Sequence, residues 1–396
     1  MSQGVFGKLS TEDFLSQYWQ QKPLLVRSAF EAPELSFDAG ELAGLACDTE
    51  APSRIVLEHG EQPWQLKQGP FEEADFTSLP QTHWTLLIND IENYFPELRD
   101  FITPFRFIPD WRIDDLMISY AADQGSVGPH VDQYDVFLIQ LEGKRVWSID
   151  DRPDYDTTPI SGPALKILQN FSDNHSWTLE PGDMLYLPPN VPHHGVADGE
   201  CMTLSVGFRA PSRNDLVQAW LDQLSAAPSF KKRFSDPMRA MQSNPGEISA
   251  TDTQALRQLI LEGIKEESAS LDSWLGKYLT ESKLPDPALT EDLPEHPDDF
   301  DASCDYERYP GLRIAYTLKQ DAILLFVGGN ELLLDLNLLS LVQYLCKEHY
   351  YSANKLAAAC TDQEACELVN TLIKNNNIVL TEPESCISQQ EFDQHS

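Results

Sequence analysis

The sequence predicts an α+β chain: a strand-rich barrel or sandwich, then a helical stretch, then a small winged-helix-like domain. Three observations carry this prediction. Between about residues 100 and 210, apolar runs such as "DLMISYAA", "YDVFLIQLEGKRVWSI", "HSWTLEPGDMLYLPP" and "MTLSVGFRAP" are separated by the turn-rich "DQGSVGP" and "EPGD". After "FRAPSR" the apolar spacing becomes helical. Near the carboxy terminus, "GLRIAYTL" and "AILLFVG" flank "KQD" as a hairpin, next to two or three helical stretches.

Taken in order, Ser10 or Thr11 caps a first helix, with Glu12 and Asp13 in its first turn. "KPLLVRSAF" reads as a short strand, and the predicted barrel follows. Residues 212–280 are read as helices. Leu256, Leu259, Ile260, Gly263, Ile264, Leu271, Trp274, Leu275 and Tyr278 fall at helical spacing. So long an apolar stripe predicts a helix-bundle dimer interface. Residues 281–305 hold nine acids, four prolines and the single base Lys283, the composition of a linker. From 306 to 396, "NELLLDL" is a strand or helix lead-in. "LLSLVQYLCKEHYY" and "SANKLAAACTDQEACELVNTLIKNNNIVL" give helices and a last strand, with Thr361 and Glu364 at capping-box spacing.

The 396 residues suffice for two or three domains. Acids outnumber bases 63 to 28, for a net charge of −35. Such a polyanion repels nucleic-acid backbones and attracts basic proteins. The winged-helix-like segment has few Arg or Lys, which argues against DNA and for protein contact. Seven cysteines without a C-x-x-C pair argue against a disulfide framework or structural zinc. The opening "MSQGVFGKLSTEDFLSQYW" lacks the apolar run of a signal peptide. No stretch reaches the roughly 18 apolar residues that cross a bilayer. A cytoplasmic protein without membrane contact is expected.

The chemistry concentrates in "GPHVDQYDVF". Read as strand, it puts His130 and Asp132 on one face. Buried charge is costly unless paired or bound to metal. A partner stands in "EPGDMLYLPPNVPHHGV", where a Gly182–Asp183 turn leads into a strand from Met184 to Leu187. Pro188, Pro189 and Pro192 shape the loop before His193 and His194. Adjacent residues of an extended chain face opposite ways, so one of the two ligates. His193, straight after Pro192, is the choice. Two histidines and a carboxylate make the facial triad of non-haem Fe(II) oxygenases.

"GPHVDQYDVFLIQLEGKRVWSI", "GDMLYLPPNVPHHGV" and "LSVGFRAPS" resemble the JmjC/cupin 2-oxoglutarate oxygenases. More narrowly, they resemble bacterial ribosomal oxygenases that hydroxylate an arginine of a large-subunit ribosomal protein. The resemblance implies a double-stranded β-helix catalytic domain (1–211), a helical dimerisation region (212–280), the acidic linker (281–305) and a winged-helix-like domain (306–396). It implies Fe(II) held by His130, Asp132 and His193, with 2-oxoglutarate and O2 as cosubstrates. The distal 2-oxoglutarate carboxylate is expected on Arg145, whose planar guanidinium suits it better than Lys144, and on Ser119. Asp115, Met117 and Ser119 alternate along "DLMISY" and share one face. Asp115, Met117, Tyr134 and Ser205 are expected to form the substrate-arginine site. The expected partners are a basic large-subunit ribosomal protein and a second copy of the chain. Two alternatives stand: the same chemistry on histidine, asparagine or methyl-lysine, and a non-catalytic metal-binding cupin scaffold. Arg145 and Ser119 argue against the scaffold, which needs no carboxylate anchor.

Overall fold

The computed structural model describes residues 4–32, 35–48, 51–59, 63–162, 164–283 and 300–381. Most of the acidic linker lies outside the described residues. The chain divides into two compact units, Met1–Ala210 and Pro211–Ser396.

The first unit opens with the helix Thr11–Gln17, and Ser10 is its cap, accepting the Asp13 N–H. Its strands are β1 (Leu24–Val26), β2 (Ser53–Leu57), β3 (Gln65–Gln68), β4 (Trp84–Ile88), β5 (Ile113–Ala121), β6 (Val136–Ile149), β7 (His175–Leu179), β8 (Met184–Leu187) and β9 (His193–Phe208). They pair in the order β1-β8-β6-β9-β5-β4-β2-β3, with β7 also on β6.

The long strands β6 and β9 run antiparallel from Val136↔Gly207 to Ile149↔His193. The first part of β6 pairs with β8 and its last part with β7. One strand therefore has β9 along its whole length and β8 and β7 in turn as further partners. The change from β8 to β7 falls at register shifts between Gln140 and Lys144. Gly143 sits there at φ +62, and a Cβ on it would lie 2.1 Å from the Glu200 carbonyl. A glycine inside the run "YDVFLIQLEGKRVWSI" could mark a turn. It is instead a bulge inside one continuous strand, where glycine takes the φ that L residues avoid.

Alternation along β6 sorts its side chains. Phe137, Ile139 and Leu141 join the main core with Phe14, Phe105, Tyr186 and Phe208. The rings of Phe105 and Phe137 stack at 4.2 Å. Truncating the fully buried Phe137 to alanine costs about 3–5 kcal/mol. Val136, Leu138, Trp147 and Ile149 belong to a second cluster with Leu185 and Leu187. Leu138 and Trp147 line the barrel cavity.

The second unit begins with the helices Arg213–Leu224, Ala250–Glu267 and Leu271–Thr280. None of the residues in Ala250–Glu267 is buried, and Leu256, Ile260 and Leu261 are exposed. The winged-helix part has β10 (Tyr306–Arg308), β11 (Ile314–Leu318), β12 (Ile323–Val327), β13 (Asn330–Leu334), β14 (Tyr350–Tyr351) and β15 (Ile378–Leu380). Three helices, Leu339–Lys347, Ala353–Ala359 and Gln363–Lys374, accompany them. The predicted hairpin is β11–β12, and "NELLLDL" supplies β13 as a third strand. The last helix is capped by Asp362, which accepts the Ala365 N–H, rather than by Thr361. A carboxylate at the cap also meets the positive end of the helix dipole.

Cys304 is disulfide-bonded, while Cys47, Cys201, Cys346, Cys360 and Cys366 are free thiols. No helix among the described residues is long and apolar enough to cross a membrane.

Candidate active site

His193 is the first residue of β9, and its backbone bonds reciprocally to His130: each N–H donates to the other's carbonyl at 3.0 Å. Asn190 N–H donates to the Asp132 carbonyl at 2.8 Å, which ties the proline loop to the H-x-D segment. The side chains converge. One ligand atom from each of His130, Asp132 and His193 lies within 4.8 Å of the others. Asp132 Oδ2 is 3.8 Å from His130 Nε2 and 3.6 Å from His193 Nε2. The sequence argument placed His130 and Asp132 on one face of a strand. The structure instead has an isolated bridge at His130 and loop through Asp132, with β6 starting at Val136. Curvature of the loop, held by His193 and Asn190, turns the two side chains together.

Both rings are oriented from behind. His130 Nδ1 meets the Gly128 carbonyl at 2.8 Å, and His193 Nδ1 meets the Val191 carbonyl at 2.9 Å. A carbonyl only accepts, so each Nδ1 carries the proton and each Nε2 lone pair faces inward. This is the arrangement of metal-bound histidines. Burial, with His130 beside it, pushes the His193 imidazole down to about 4. It is therefore neutral near pH 7, the form that ligates metal. His194 faces away, its Nε2 2.9 Å from Ser126 Oγ and its ring edge-on to Phe171.

Arg145 is 4% exposed. Its Nη1 donates to Ser119 Oγ at 3.3 Å, and its guanidinium lies 5.7 Å from the Trp147 ring centroid. Its Nε and Nη2 are buried without a partner. A buried cation with unmet donors is costly, and a bidentate carboxylate would satisfy both. Lys144, by contrast, is paired at the surface with Glu180 at 2.6 Å. The donor set of two imidazoles and a carboxylate fits a divalent transition metal, and the orphaned N–H groups of Arg145 fit a dicarboxylate beside it.

The residues singled out in the sequence, namely Asp115, Met117, Ser119, His130, Asp132, Tyr134, Arg145, His193 and Ser205, all line one cavity of about 400 Å³. That is a size for small ligands. Asp115 is nearly buried and accepts from Asn89 Nδ2 at 2.7 Å. Tyr134 is 41% exposed, at the rim.

Sequence reasoning missed two residues of this wall. Arg54 on β2 bonds through Nη1 to Asn89 Oδ1 and through Nη2 to Met117 Sδ at 3.2 Å. Burial lowers its pKa, and Tyr134, Asp115 and Asp132 oppose that. The available signal was a lone arginine inside the apolar strand "SRIVL". Asn89 gave none, because only the β4–β5 pairing carries it to Asp115.

Comparison with known proteins agrees with this geometry. The JmjC domain model matches residues 100–216, and the ROXA-like winged-helix model matches residues 255–377. The Escherichia coli K12 ribosomal protein uL16 3-hydroxylase is 34% identical over 326 residues, 82% of each chain. A probable ribosomal oxygenase of Haemophilus influenzae is 33% identical over 66% of each chain. The structure of the E. coli ribosomal oxygenase YcfD with cobalt and 2-oxoglutarate superposes with a TM-score of 0.76 at 29% identity. The match covers 95% of this chain and 99% of that one. A second E. coli YcfD structure gives a TM-score of 0.79 at 30% identity. The fold is thus the JmjC/cupin barrel joined to a winged helix, and the chain belongs to the JmjC ribosomal oxygenases, a family of enzymes.

Proposed function

We propose that this chain is an Fe(II)- and 2-oxoglutarate-dependent hydroxylase that acts on an arginine side chain of a basic large-subunit ribosomal protein. The observation that carries the reading is Arg145, a buried guanidinium with two unpaired donors in the same cavity as the His130–Asp132–His193 cluster. His130, Asp132 and His193 would hold the iron, and Arg145 with Ser119 would hold the distal carboxylate of 2-oxoglutarate. When bound, iron, 2-oxoglutarate and O2 supply the oxidising power that puts one oxygen atom into an unactivated C–H bond, with succinate and carbon dioxide released. The residues of this chain position and shield that chemistry. Trp147 and Leu138 keep the carboxylate pocket dry, and Asp115 offers a negative charge to a substrate guanidinium. Met117 and Tyr134 would flank the aliphatic stem, and Ser205 adds a hydroxyl.

The relatives' names point to ribosomal proteins, and the net charge of −35 favours a basic partner. The exposed Leu256, Ile260 and Leu261 support dimerisation through residues 212–280. Light scattering that returns a monomer at micromolar concentration would contradict the dimer. The cytoplasm, where ribosomal proteins are made, is the proposed location.

The test is succinate release with purified large-subunit ribosomal proteins, Fe(II), 2-oxoglutarate and O2. The expected result is turnover stimulated by a ribosomal protein and abolished in His130→Ala. Metal binding without succinate would leave a non-catalytic cupin.

A further inference from the structure

We propose that Glu58, His59 and His83 form a second divalent-metal site, of the zinc class, that fastens the end of β2 to the start of β4. One ligand atom from each of the three lies within 4.8 Å of the others. The ladder explains why. Leu57 pairs with Trp84 at the last rung of β2 and β4. Glu58 and His83 are the next cross-strand neighbours, joined by Glu58 N–H to the His83 carbonyl at 3.1 Å. His59 then brings a second ring, its centroid 4.3 Å from that of His83 and tilted by 42°.

His83 is held for this role. It stands at φ +67, a conformation unusual for any residue but glycine, asparagine, aspartate and histidine. Its N–H donates to the Asp123 carbonyl at 2.9 Å, so the backbone is fixed from both sides. Its Nδ1 lies 2.8 Å from Thr82 Oγ1. With the Nδ1 proton given to that hydroxyl, the Nε2 lone pair is left for a metal. Two imidazoles and one carboxylate suit zinc, nickel or copper rather than calcium or magnesium. His59 is exposed, so the remaining coordination positions open to solvent.

The site also touches the architecture of the main cavity. Trp64 N–H donates to the Glu58 carbonyl at 3.2 Å. The Trp64 ring lies against Gly128, where a Cβ would come within 3.0 Å of it. The Gly128 carbonyl is the one that meets His130 Nδ1. A metal at Glu58, His59 and His83 would steady the surface on which the His130 loop rests. This assignment is independent of the hydroxylase reading.

The experiment is zinc titration of the full chain in a His130→Ala/Asp132→Ala background, which silences the first cluster, followed by metal analysis after desalting. One zinc per chain is expected. Adding His59→Ala, an exposed position that leaves the core untouched, should weaken binding at least ten-fold. Adding His83→Asn should do the same, because asparagine tolerates the positive φ. No zinc bound in the background, or one zinc that neither substitution weakens, would overturn the site.

Discussion

Arg145 Nη1 reaches Ser119 Oγ at 3.3 Å, and the other buried donors of the guanidinium, Nε and Nη2, find no partner. The barrel thus buries a cation whose remaining donors match a bidentate carboxylate. Stability without ligand is given up for binding.

That relationship predicts opposite effects from one substitution. Arg145→Met removes the buried charge and keeps much of the volume. It should raise the melting temperature of the ligand-free protein, by about 1 kcal/mol in stability. It should also raise the KM for 2-oxoglutarate by roughly 10- to 100-fold, the loss of a charge-assisted bond of about 1.5–3 kcal/mol. Scanning calorimetry and steady-state kinetics on the same preparation check both. A variant that is less stable and turns over normally would contradict the role of Arg145.

Gly195 pairs with Trp147 across β6 and β9, and a Cβ at Gly195 would fall 2.7 Å from the indole. The indole in turn lies 5.7 Å from the Arg145 guanidinium and 5.9 Å from the His193 ring. Gly195→Ala must displace Trp147, at an overpacking cost of about 1–3 kcal/mol. Weakened metal retention and a raised KM for 2-oxoglutarate are expected together, measured by metal analysis and initial rates. Unchanged values for both would show that Trp147 does not support the site.

Glu92 titrates far from its usual range. Burial, with Asp115 and Asp90 nearby, raises it from 4.5 to about 8. Between those values the folded chain holds a proton that the unfolded chain has lost. Stability therefore falls as pH rises through this window, by at most ~1.4 kcal/mol per pH unit for the single proton. Glu92→Gln keeps an acceptor for the Leu116 N–H, which Glu92 Oε2 now receives at 3.1 Å. The variant should lose this part of the slope and gain on the parent most above pH 8. Denaturant unfolding across pH 5–9 measures it, and parallel curves for the two proteins would exclude the effect.

How much was legible in the sequence follows the range of each interaction. The H-x-D pair, the His193–His194 step and the arginine of "EGKRVW" are local patterns, and all of these residues except His194 line the cavity. The alternation of "DLMISY" put Asp115, Met117 and Ser119 on one wall, and all three line the cavity even though the pairing of β5 with β9 shifts register between Ile113 and Leu116. The bulge at Gly143 was hidden, since a glycine between apolar runs signals a turn as readily as a bulge. The loop at Asp132 reads as strand until the His193 bridge is known. Arg54, Asn89 and Glu92 acquire their meaning through tertiary pairing, which no local pattern reports. The last helix starts at Gln363, one residue later than a Thr361 cap requires, so Asp362 stands at the cap position and accepts the Ala365 N–H.

The central claim is that one cavity joins the histidine–aspartate cluster and Arg145 to oxidise a substrate arginine. Intact-protein mass spectrometry of unmodified large-subunit ribosomal proteins, incubated with the enzyme, Fe(II), 2-oxoglutarate and O2, tests it most directly. The account predicts that one protein gains the mass of a single oxygen atom, mapped by fragmentation to an arginine and absent with His130→Ala. A gain mapped to any other residue type, or no gain while 2-oxoglutarate is consumed, would contradict it.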